Sequence, residues 1–261
     1  MTRDQPKVVD EEGPYGQGSN QLIRDGITDE CDAAVVTEPG PILAQTEIEN
    51  PALILGARFL YDITVHGHAA HGSQPQKGQN AVVDAGALAG ALSGMDVGSH
   101  SKLGDGSVCP LLIEGGGETL SVPESCHLLV DRHVVIGEDA ETVLADAERV
   151  AADLDLGSEV EVRFRESPAP DVRYGPYVTD EDHPLVESLG ESAESVTGQV
   201  PAIGYFSSVG DFNYFGHRAG IPTVIVGPDG ENIHGAGEFV YTDEVVDVTR
   251  ILANAAAEYV G

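Results

Sequence analysis

The order of hydrophobic periods between residues 58 and 164 constrains the fold more than any other feature of this 261-residue sequence. Alternating apolar and polar residues predict four strands, at 58–65, 106–114, 124–135 and 159–164. Helical spacing predicts helices at 80–92 and 139–153. The resulting order, βαββαβ, is that of a ferredoxin-like split unit. We therefore expect an α+β domain in the middle of the chain.

The segments on either side of this unit have the patterns of an α/β domain. Before it, we predict strands that end at residue 10 and at 33–37, with Ser19 capping a short helix that continues to Asp25. After it, we predict helices at 183–196, 210–216 and 243–259 and a strand at 223–226. The expected organisation is an α/β domain in two parts, 1–54 and 167–261, around an inserted domain at 55–166.

The formal net charge of −31, from 44 Asp and Glu against 13 Lys and Arg, is the strongest compositional signal. So few basic residues cannot form the positive face that a phosphate backbone requires, and nucleic acid is not expected as a partner. The acidic residues alternate with apolar ones, which argues against a disordered tail. Because such a surface repels itself unless salt screens it, we hypothesise a protein adapted to high salt.

The cysteines and the apolar runs bear on location. Cys31, Cys109 and Cys126 are odd in number and form no Cys-x-x-Cys pair, which argues against a disulfide framework or a zinc ribbon. No apolar run approaches the roughly 20 residues that a membrane helix needs. The first residues also lack the apolar segment of a signal peptide. We expect a cytoplasmic protein with no membrane partner.

Several metal-ligating side chains fall at predicted strand ends or in Gly/Pro loops: Glu11, Glu12, Glu38 and His234. Carboxylates and a neutral imidazole suit Zn²⁺ or a similar divalent ion. A second carboxylate beside a ligand can act as general base towards a metal-activated water. Taken singly, each residue is more readily explained as structural, as a solvated acidic turn or as a loop histidine.

Longer stretches resemble a known family. The runs DEEG, CDAAVVTEPG, GHAAHGSQPQKGQNAVV, VPESCHLLVDRHVV and IPTVIVGPDGENIHGAGEFV are together similar to those of the M20 metallopeptidases. That group includes acetylornithine deacetylase, succinyl-diaminopimelate desuccinylase, aminoacylase and glutamate carboxypeptidase. The resemblance covers nearly the whole chain, and residues 68–81 and 227–240 carry most of its specificity. It implies an α/β catalytic domain with an inserted ferredoxin-like dimerisation domain, and therefore a homodimer.

The resemblance also implies roles for five residues. Glu11 would be the general acid/base, Glu12 a ligand of one metal and Glu38 a ligand of the other. His234 would be the second ligand of the Glu12 metal, and His71 would reach across the dimer to the substrate of the partner subunit. The implied cofactors are two divalent metal ions, zinc first, with cobalt or manganese as alternatives.

The implied reaction is hydrolysis of an amide bond in an N-acyl amino acid or a short peptide. The metal ions would lower the pKa of a water and polarise the scissile carbonyl. Glu11 would move the proton to the leaving amine, and His71 would hydrogen-bond the developing oxyanion. Asp211, in SSVGDFNYF, matches a family position near the site, where we expect it to orient structure rather than ligate a metal.

Two parts of the family pattern are missing. The family carries an upstream His-x-Asp motif and a further Asp that bridges the metals, and no His-x-Asp occurs here. The catalytic domain is therefore expected to be incomplete. A fragment of a longer protein is favoured over half of a split enzyme or a non-catalytic relative, because the five site residues are intact. The alternative function is a dimerisation or small-ligand-binding module. A serine or cysteine hydrolase is set aside, because no Gly-x-Ser-x-Gly occurs and the cysteines lack a convincing partner histidine.

Overall fold

A computed structural model describes residues 15–38, 52–55, 57–101, 104–167, 174–201, 204–206 and 209–260, with the backbone alone at 52–55 and 205–206. Contacts divide the chain into two compact units. The outer unit comprises Met1–Gly56 and Ala169–Gly261, and the inner unit is Ala57–Pro168. Glu11, Glu12 and the strand predicted to end at residue 10 lie outside the described residues.

The outer unit begins with a short helix whose start differs from the prediction. Its first elements are α1 Gln17–Arg24, β1 Ala34–Val36 and β2 Ala52–Leu55. The residue before α1 is Gly16, in the left-handed conformation with φ 48°, so the predicted cap at Ser19 is wrong. Ser19 lies inside the helix and is buried, and its hydroxyl donates to Oδ2 of Asp211 at 2.5 Å. A distant hydrogen bond thus replaces the local capping bond that the sequence suggests.

The inner unit contains the predicted run of long strands and helices. Its elements are β3 Ala57–His66, a 3₁₀ turn Pro75–Lys77, α2 Ala81–Ser93, β4 Ser99–His100, β5 Gly104–Asp105, β6 Ser107–Gly115, β7 Ser125–Val134, α3 Ala140–Asp153 and β8 Glu159–Phe164. The four long strands form an antiparallel sheet in the order β6-β7-β3-β8, and β4 pairs with β5 separately.

The two helices of the inner unit share one core with one face of its sheet. Tyr61 and Ile63 of β3 and Leu128 of β7 are buried together with Leu88 of α2 and Val143 of α3. Their spacing follows the period of two in the strands and of 3.6 in the helices, which is why these segments could be recognised in the sequence.

Side-chain caps fix where the inner helices begin. The side-chain oxygen of Asn80 accepts hydrogen bonds from the amides of Val82 and Val83, at 3.1 and 3.3 Å. Asp139 accepts from the amide of Thr142 at 2.9 Å at the start of α3. Each cap satisfies amides that have no partner within the helix.

A buried ion pair links β7 to the turn before α3. The guanidinium of Arg132, which is 1% exposed, donates to Oε1 of Glu138 at 2.5 Å and to the carbonyl of His133 at 2.9 Å. The other carboxylate oxygen of Glu138 accepts from the amide of Val135 at 3.0 Å. These contacts offset part of the cost of burying the charges, while Nε of Arg132 has no hydrogen-bond partner among the residues that the structure describes.

The outer unit resumes with short strands and two longer helices. Its elements are β9 Tyr177–Val178, α4 Pro184–Thr197, β10 Gly204–Phe206, a π-helical turn Tyr214–Arg218, β11 Thr223–Ile225, β12 Gly230–Glu231, β13 Phe239–Val240 and α5 Thr242–Tyr259. The main sheet has the order β1-β11-β2-β10, with β9 beside β2. Leu189 of α4, Ile251 of α5 and Val224 of β11 share one core. No described helix is both long and apolar enough to cross a membrane.

Candidate active site

Glu38 lies where two parallel strands of the outer unit end. Strand β1 pairs in parallel with β11, and the amide of Val226 donates to the carbonyl of Val36 at 2.9 Å. Glu38 is half-buried just beyond β1. A Cβ on Gly227 would overlap the carbonyl oxygen of Glu38, so only glycine permits this approach. The carboxyl ends of parallel strands are the usual position of sites in open α/β sheets.

His234 is carried by a loop that follows β11 and is held at its base. Strands β12 and β13 form an antiparallel ribbon through Gly230↔Val240 and Glu231↔Phe239. Within the loop, the amide of Gly235 donates to the carbonyl of Asn232 at 2.6 Å. The imidazole of His234 is exposed to solvent.

The backbone of this loop is strained at two residues. Asn232 and His234 have φ values of 61° and 60°, and they are the non-glycine residues with positive φ in the described part of the chain. Such conformations cost free energy and tend to cluster at functional sites. The predicted ligand His234 therefore lies in a loop with an uncommon left-handed backbone.

Hydrogen bonds at the start of α5 hold the ribbon. The carboxylate of Glu244 accepts from the amide of Asp229 at 2.7 Å, and the hydroxyl of Tyr241 donates to Glu231 at 2.5 Å. The hydrogen bond to Glu231 raises the pKa of Tyr241, because ionisation of the phenol would break it. The loop that presents His234 is therefore anchored at both ends.

Asp211, for which the sequence predicts an orienting role, is buried beside α1. It is 4% exposed and accepts the hydroxyl of Ser19, which ties α1 to the turn that contains Asp211. A Cβ on Gly16 would lie 2.5 Å from Oδ1 of Asp211. Both contacts place the Asp211 carboxylate against the start of α1.

In the inner unit, His71 sits on a short ladder that holds its backbone on both sides. The amide of Gly72 donates to the carbonyl of Leu120, and the amide of Val122 donates to the carbonyl of Ala70, at 2.9 and 2.8 Å. These bonds make His71 and Ser121 a non-hydrogen-bonded antiparallel pair, whose side chains lie close together on one face. The imidazole is exposed, and its Nδ1 contacts Ser73.

The described residues do not by themselves assemble a metal centre. Over the described ranges, no group of three or more His, Cys, Asp or Glu side chains could hold a metal ion. Glu38 and His234 belong to the outer unit and His71 to the inner unit, while Glu11 and Glu12 lie outside the described residues. Carboxylate and imidazole remain the donor types that zinc and similar ions take, so the available residues fit such an ion chemically.

Comparison with known proteins identifies the family. A family model described as peptidase family M20/M25/M40 matches residues 8–258. The chain belongs to this family. The match spans all five site residues predicted from the sequence, including the two that lie outside the described residues.

Three relatives illustrate the membership. N-formyl-4-amino-5-aminomethyl-2-methylpyrimidine deformylase of Bacillus subtilis (strain 168) is 30% identical over 165 residues, 58% of this chain and 38% of that protein. Aminopeptidase PepT from Bacillus cereus ATCC 10987 superposes with a TM-score of 0.71 at 21% identity, covering 97% of this chain and 63% of that one. Bacillus subtilis YXEP, described as a dinuclear metal binding peptidase from the M20 family, gives 0.62 at 15% identity, with 93% and 61% covered.

These matches differ in what they establish. The two structural likenesses show a shared M20-type α/β fold. The chain spans less than two thirds of the length of each of these three proteins.

Ser73 contacts the candidate residue His71 and was not singled out in the sequence. Its hydroxyl lies 2.8 Å from Nδ1 of His71, and its amide lies 3.2 Å from the same atom. A signal was present in the sequence, because a serine two residues after a polar side chain often hydrogen-bonds locally in a turn.

Proposed function

We propose that this chain carries the catalytic residues of a metal-dependent hydrolase that cleaves an amide bond in an N-acyl amino acid or a short peptide. The observation that carries the proposal is the family match over residues 8–258, which includes Glu11, Glu12, Glu38, His71 and His234. The position of Glu38 at the carboxyl end of β1 supports it.

The proposed cofactors are two divalent metal ions, with zinc preferred over cobalt or manganese. Glu12 and His234 would hold one ion and Glu38 the other. The description of the YXEP neighbour as a dinuclear metal binding peptidase supports two ions rather than one. When bound, such ions supply the Lewis acidity that acidifies water and polarises a carbonyl group.

The residues of the chain divide the remaining chemistry between them. Glu11 takes a proton from the attacking water and delivers it to the leaving amine. His71 donates a hydrogen bond to the carbonyl oxygen as negative charge develops on it. Asp211 accepts the hydroxyl of Ser19 and so ties α1 to the turn that contains Asp211.

The deciding experiment replaces Glu11 by Gln. Metal content after purification should stay close to that of the wild type, while turnover of N-acyl amino acids and dipeptides falls by about a hundredfold or more. Glu258→Gln, on the exposed end of α5, is the matched control and should change neither quantity. Assays use the 261-residue chain and, where the coding sequence continues upstream, the extended chain.

Two results would redirect the proposal. Full activity in Glu11→Gln would remove Glu11 from the acid/base role. Absence of both bound metal and turnover in every form of the protein would favour the alternative, a dimerisation or small-ligand-binding module.

We also propose that the inner unit is a ferredoxin-like dimerisation domain that pairs with a second copy of this chain. Helix α2 packs beside the edge strand β6. Exposed apolar side chains occur on both, with Val83 64%, Leu111 51%, Leu112 42% and Ile113 49% exposed. Asp84, which is buried, and Glu114 are the charged residues within these two elements.

The low charge of this surface favours a second copy over another partner. In a chain with net charge −31, two copies can approach only where few carboxylates meet. Exposed apolar patches of this kind mark interfaces. Because Pro110 lacks an amide hydrogen, side-chain packing is expected rather than an unbroken ladder between edge strands.

Sedimentation in about 1 M KCl, which screens repulsion between copies, tests this interface. Leu111 is the bulge residue that has no cross-strand partner in β7, so Leu111→Lys should give a monomer without disturbing the sheet. Val178→Lys, at a residue 56% exposed in the outer unit, should leave the dimer intact. A wild-type monomer under these conditions would contradict the proposal.

We also propose a cytoplasmic location for this protein. The three cysteines are free, and Cys31 and Cys109 are exposed, which suits a reducing compartment.

A further inference from the structure

The tautomer of His71 can be read from its contacts with Ser73. The backbone amide of Ser73 lies 3.2 Å from Nδ1 of His71, with its hydrogen directed at that atom. An amide N–H can only donate, so Nδ1 must present its lone pair. The hydrogen of the neutral imidazole therefore resides on Nε2.

The hydroxyl of Ser73 reinforces the same assignment. It lies 2.8 Å from Nδ1, and because Nδ1 accepts, the hydroxyl donates. The carbonyl of His71 accepts from the amide of Gln74 at 2.7 Å, which closes the turn and keeps Ser73 beneath the ring. Within the described residues, Nε2 of His71 makes no hydrogen bond.

Backbone hydrogen bonds to residues 120–122 fix the backbone of His71, so the contacts with Ser73 orient only the imidazole ring. Gly72 and Ala70 are bonded to the 120–122 segment, and a Cβ on Gly72 would lie 2.9 Å from the carbonyl oxygen of Leu120. The neighbouring hydroxyl of Ser121 is paired with that of Thr119 at 2.9 Å. Ser73 is therefore the hydroxyl that contacts His71.

We propose that Ser73 is a positioning residue that holds His71 as the Nε2–H tautomer, so that His71 offers a substrate a hydrogen-bond donor and not a base. The ligand group it selects is an acceptor, namely a carbonyl oxygen or the oxyanion formed from it. The role in turnover rests on the proposed amide hydrolysis, whereas the tautomer does not.

Long-range ¹⁵N–¹H NMR of histidine-labelled protein tests the tautomer, with His71→Asn identifying the signals. In the wild type, Nε2 should be protonated and Nδ1 unprotonated wherever the ring is neutral. Ser73→Ala keeps the longer amide contact at 3.2 Å and loses the shorter hydroxyl contact at 2.8 Å, so the preference for Nε2–H weakens and a minor Nδ1–H population should appear. Ser73→Thr should restore the wild-type pattern, and Ser121→Ala should leave it unchanged. An Nδ1–H signal in the wild type, or no change in Ser73→Ala, would overturn the inference.

Kinetics test the positioning role separately. Loss of one hydrogen bond should lower kcat by about three- to tenfold in Ser73→Ala while KM stays nearly constant, because the donor matters most in the transition state. Ser73→Thr should recover most of the loss. An active enzyme whose kcat is unchanged by Ser73→Ala would refute the positioning role and leave the proposed function standing. A protein without amide hydrolysis would remove the proposed function and leave the tautomer to the NMR result.

Discussion

At the scale of single residues, glycines show most directly how side-chain contacts set the backbone of the outer unit. Gly16 and Gly220 have left-handed φ values of 48° and 67°. A Cβ on Gly16 would collide with the Asp211 carboxylate and with the hydroxyl of Tyr174 at 2.8 Å, whereas nothing lies within 4 Å of one on Gly220. The two positions therefore separate the cost of the backbone conformation from the cost of a collision.

Gly16→Ala and Gly220→Ala should differ in their effect on the free energy of unfolding. The left-handed conformation costs about 1–2 kcal/mol for either alanine. Overpacking against Asp211 should bring the total for Gly16→Ala to about 2–5 kcal/mol. Urea unfolding of both variants at one salt concentration measures the difference in their free energies of unfolding. Equal losses would show that the side chains around Asp211 move to accommodate the added methyl group.

Local sequence patterns predicted some candidate site residues but not the contacts and backbone conformations that depend on distant parts of the chain. Glu38 and His234 could be nominated because they follow predicted strands or lie in glycine-rich loops. The contact of Ser19 with Asp211 joins residues far apart in the chain, so local capping rules pointed to the wrong helix start. The positive φ of Asn232 and His234 likewise depends on how the ribbon closes, which no periodicity encodes.

At the scale of elements, buried charges decide how the inner unit is held together. Arg132 and Glu138 form a pair with side chains 1% and 12% exposed. Arg149 and Asp146 form a pair at 3.0 Å on α3, with side chains 55% and 24% exposed. The same attraction between opposite charges acts in both pairs, but water screens only the second pair effectively.

Glu138→Gln should therefore be far more costly than Asp146→Asn. It leaves the Arg132 charge buried without its carboxylate, which should lower the free energy of unfolding by about 3 kcal/mol or more. Asp146→Asn should change it by less than about 0.5 kcal/mol. Denaturant titrations give both values, and similar losses would argue that water reaches Arg132.

A pH-dependent contribution is expected from Asp84, at the first turn of α2. Burial acts to raise its pKa, but hydrogen bonds from Ser158 and Gln79 outweigh it and hold the pKa below the usual value. A lowered folded-state pKa stabilises the fold above the unfolded-state pKa, and this stability is lost as pH falls through the folded-state pKa.

Asp84→Asn should destabilise the protein by about 2 kcal/mol near neutral pH, since hydrogen bonds to a charged acceptor are lost. The gap to the wild type should narrow as pH falls below about 4, the ordinary pKa of Asp in an unfolded chain, and on through the lower folded-state pKa. Glu148→Gln, on the exposed face of α3, should show no such trend. A gap that stays constant down to strongly acidic pH would contradict the role of Asp84.

Periodicity predicted the long elements well and the short ones poorly. Strand β8 begins and ends where the alternation does, and α2 starts directly after its Asn80 cap. Strands β2, β9 and β10 have two to four residues, too few to display a period, and were not predicted. The helix predicted at 210–216 is a π-helical turn at Tyr214–Arg218, which a 3.6-residue period cannot distinguish.

At the scale of the whole molecule, the net charge is expected to have the largest effect on stability. A net charge of −31 opposes compaction, and the strands described in the outer unit are short and offer little cooperative hydrogen bonding to resist it. Stability should consequently depend on the ionic strength of the solvent.

Raising KCl from about 0.1 to 3 M shortens the screening length from about 10 Å to below 3 Å, and Tm should rise throughout the series. A parallel series in sucrose is the control, because sucrose favours the compact state through its exclusion from the protein surface and does not screen charge. A higher Tm at the lowest ionic strength would refute adaptation to high salt.

The ends of the inner unit leave its sheet side by side. Strands β3 and β8 are antiparallel neighbours, and the amide of Arg165 donates to the carbonyl of Leu60 at 3.0 Å. The chain therefore enters and leaves the inner unit at neighbouring strands. If residues 57–168 were deleted, a linker of a few glycines is expected to join the two remaining segments of the chain.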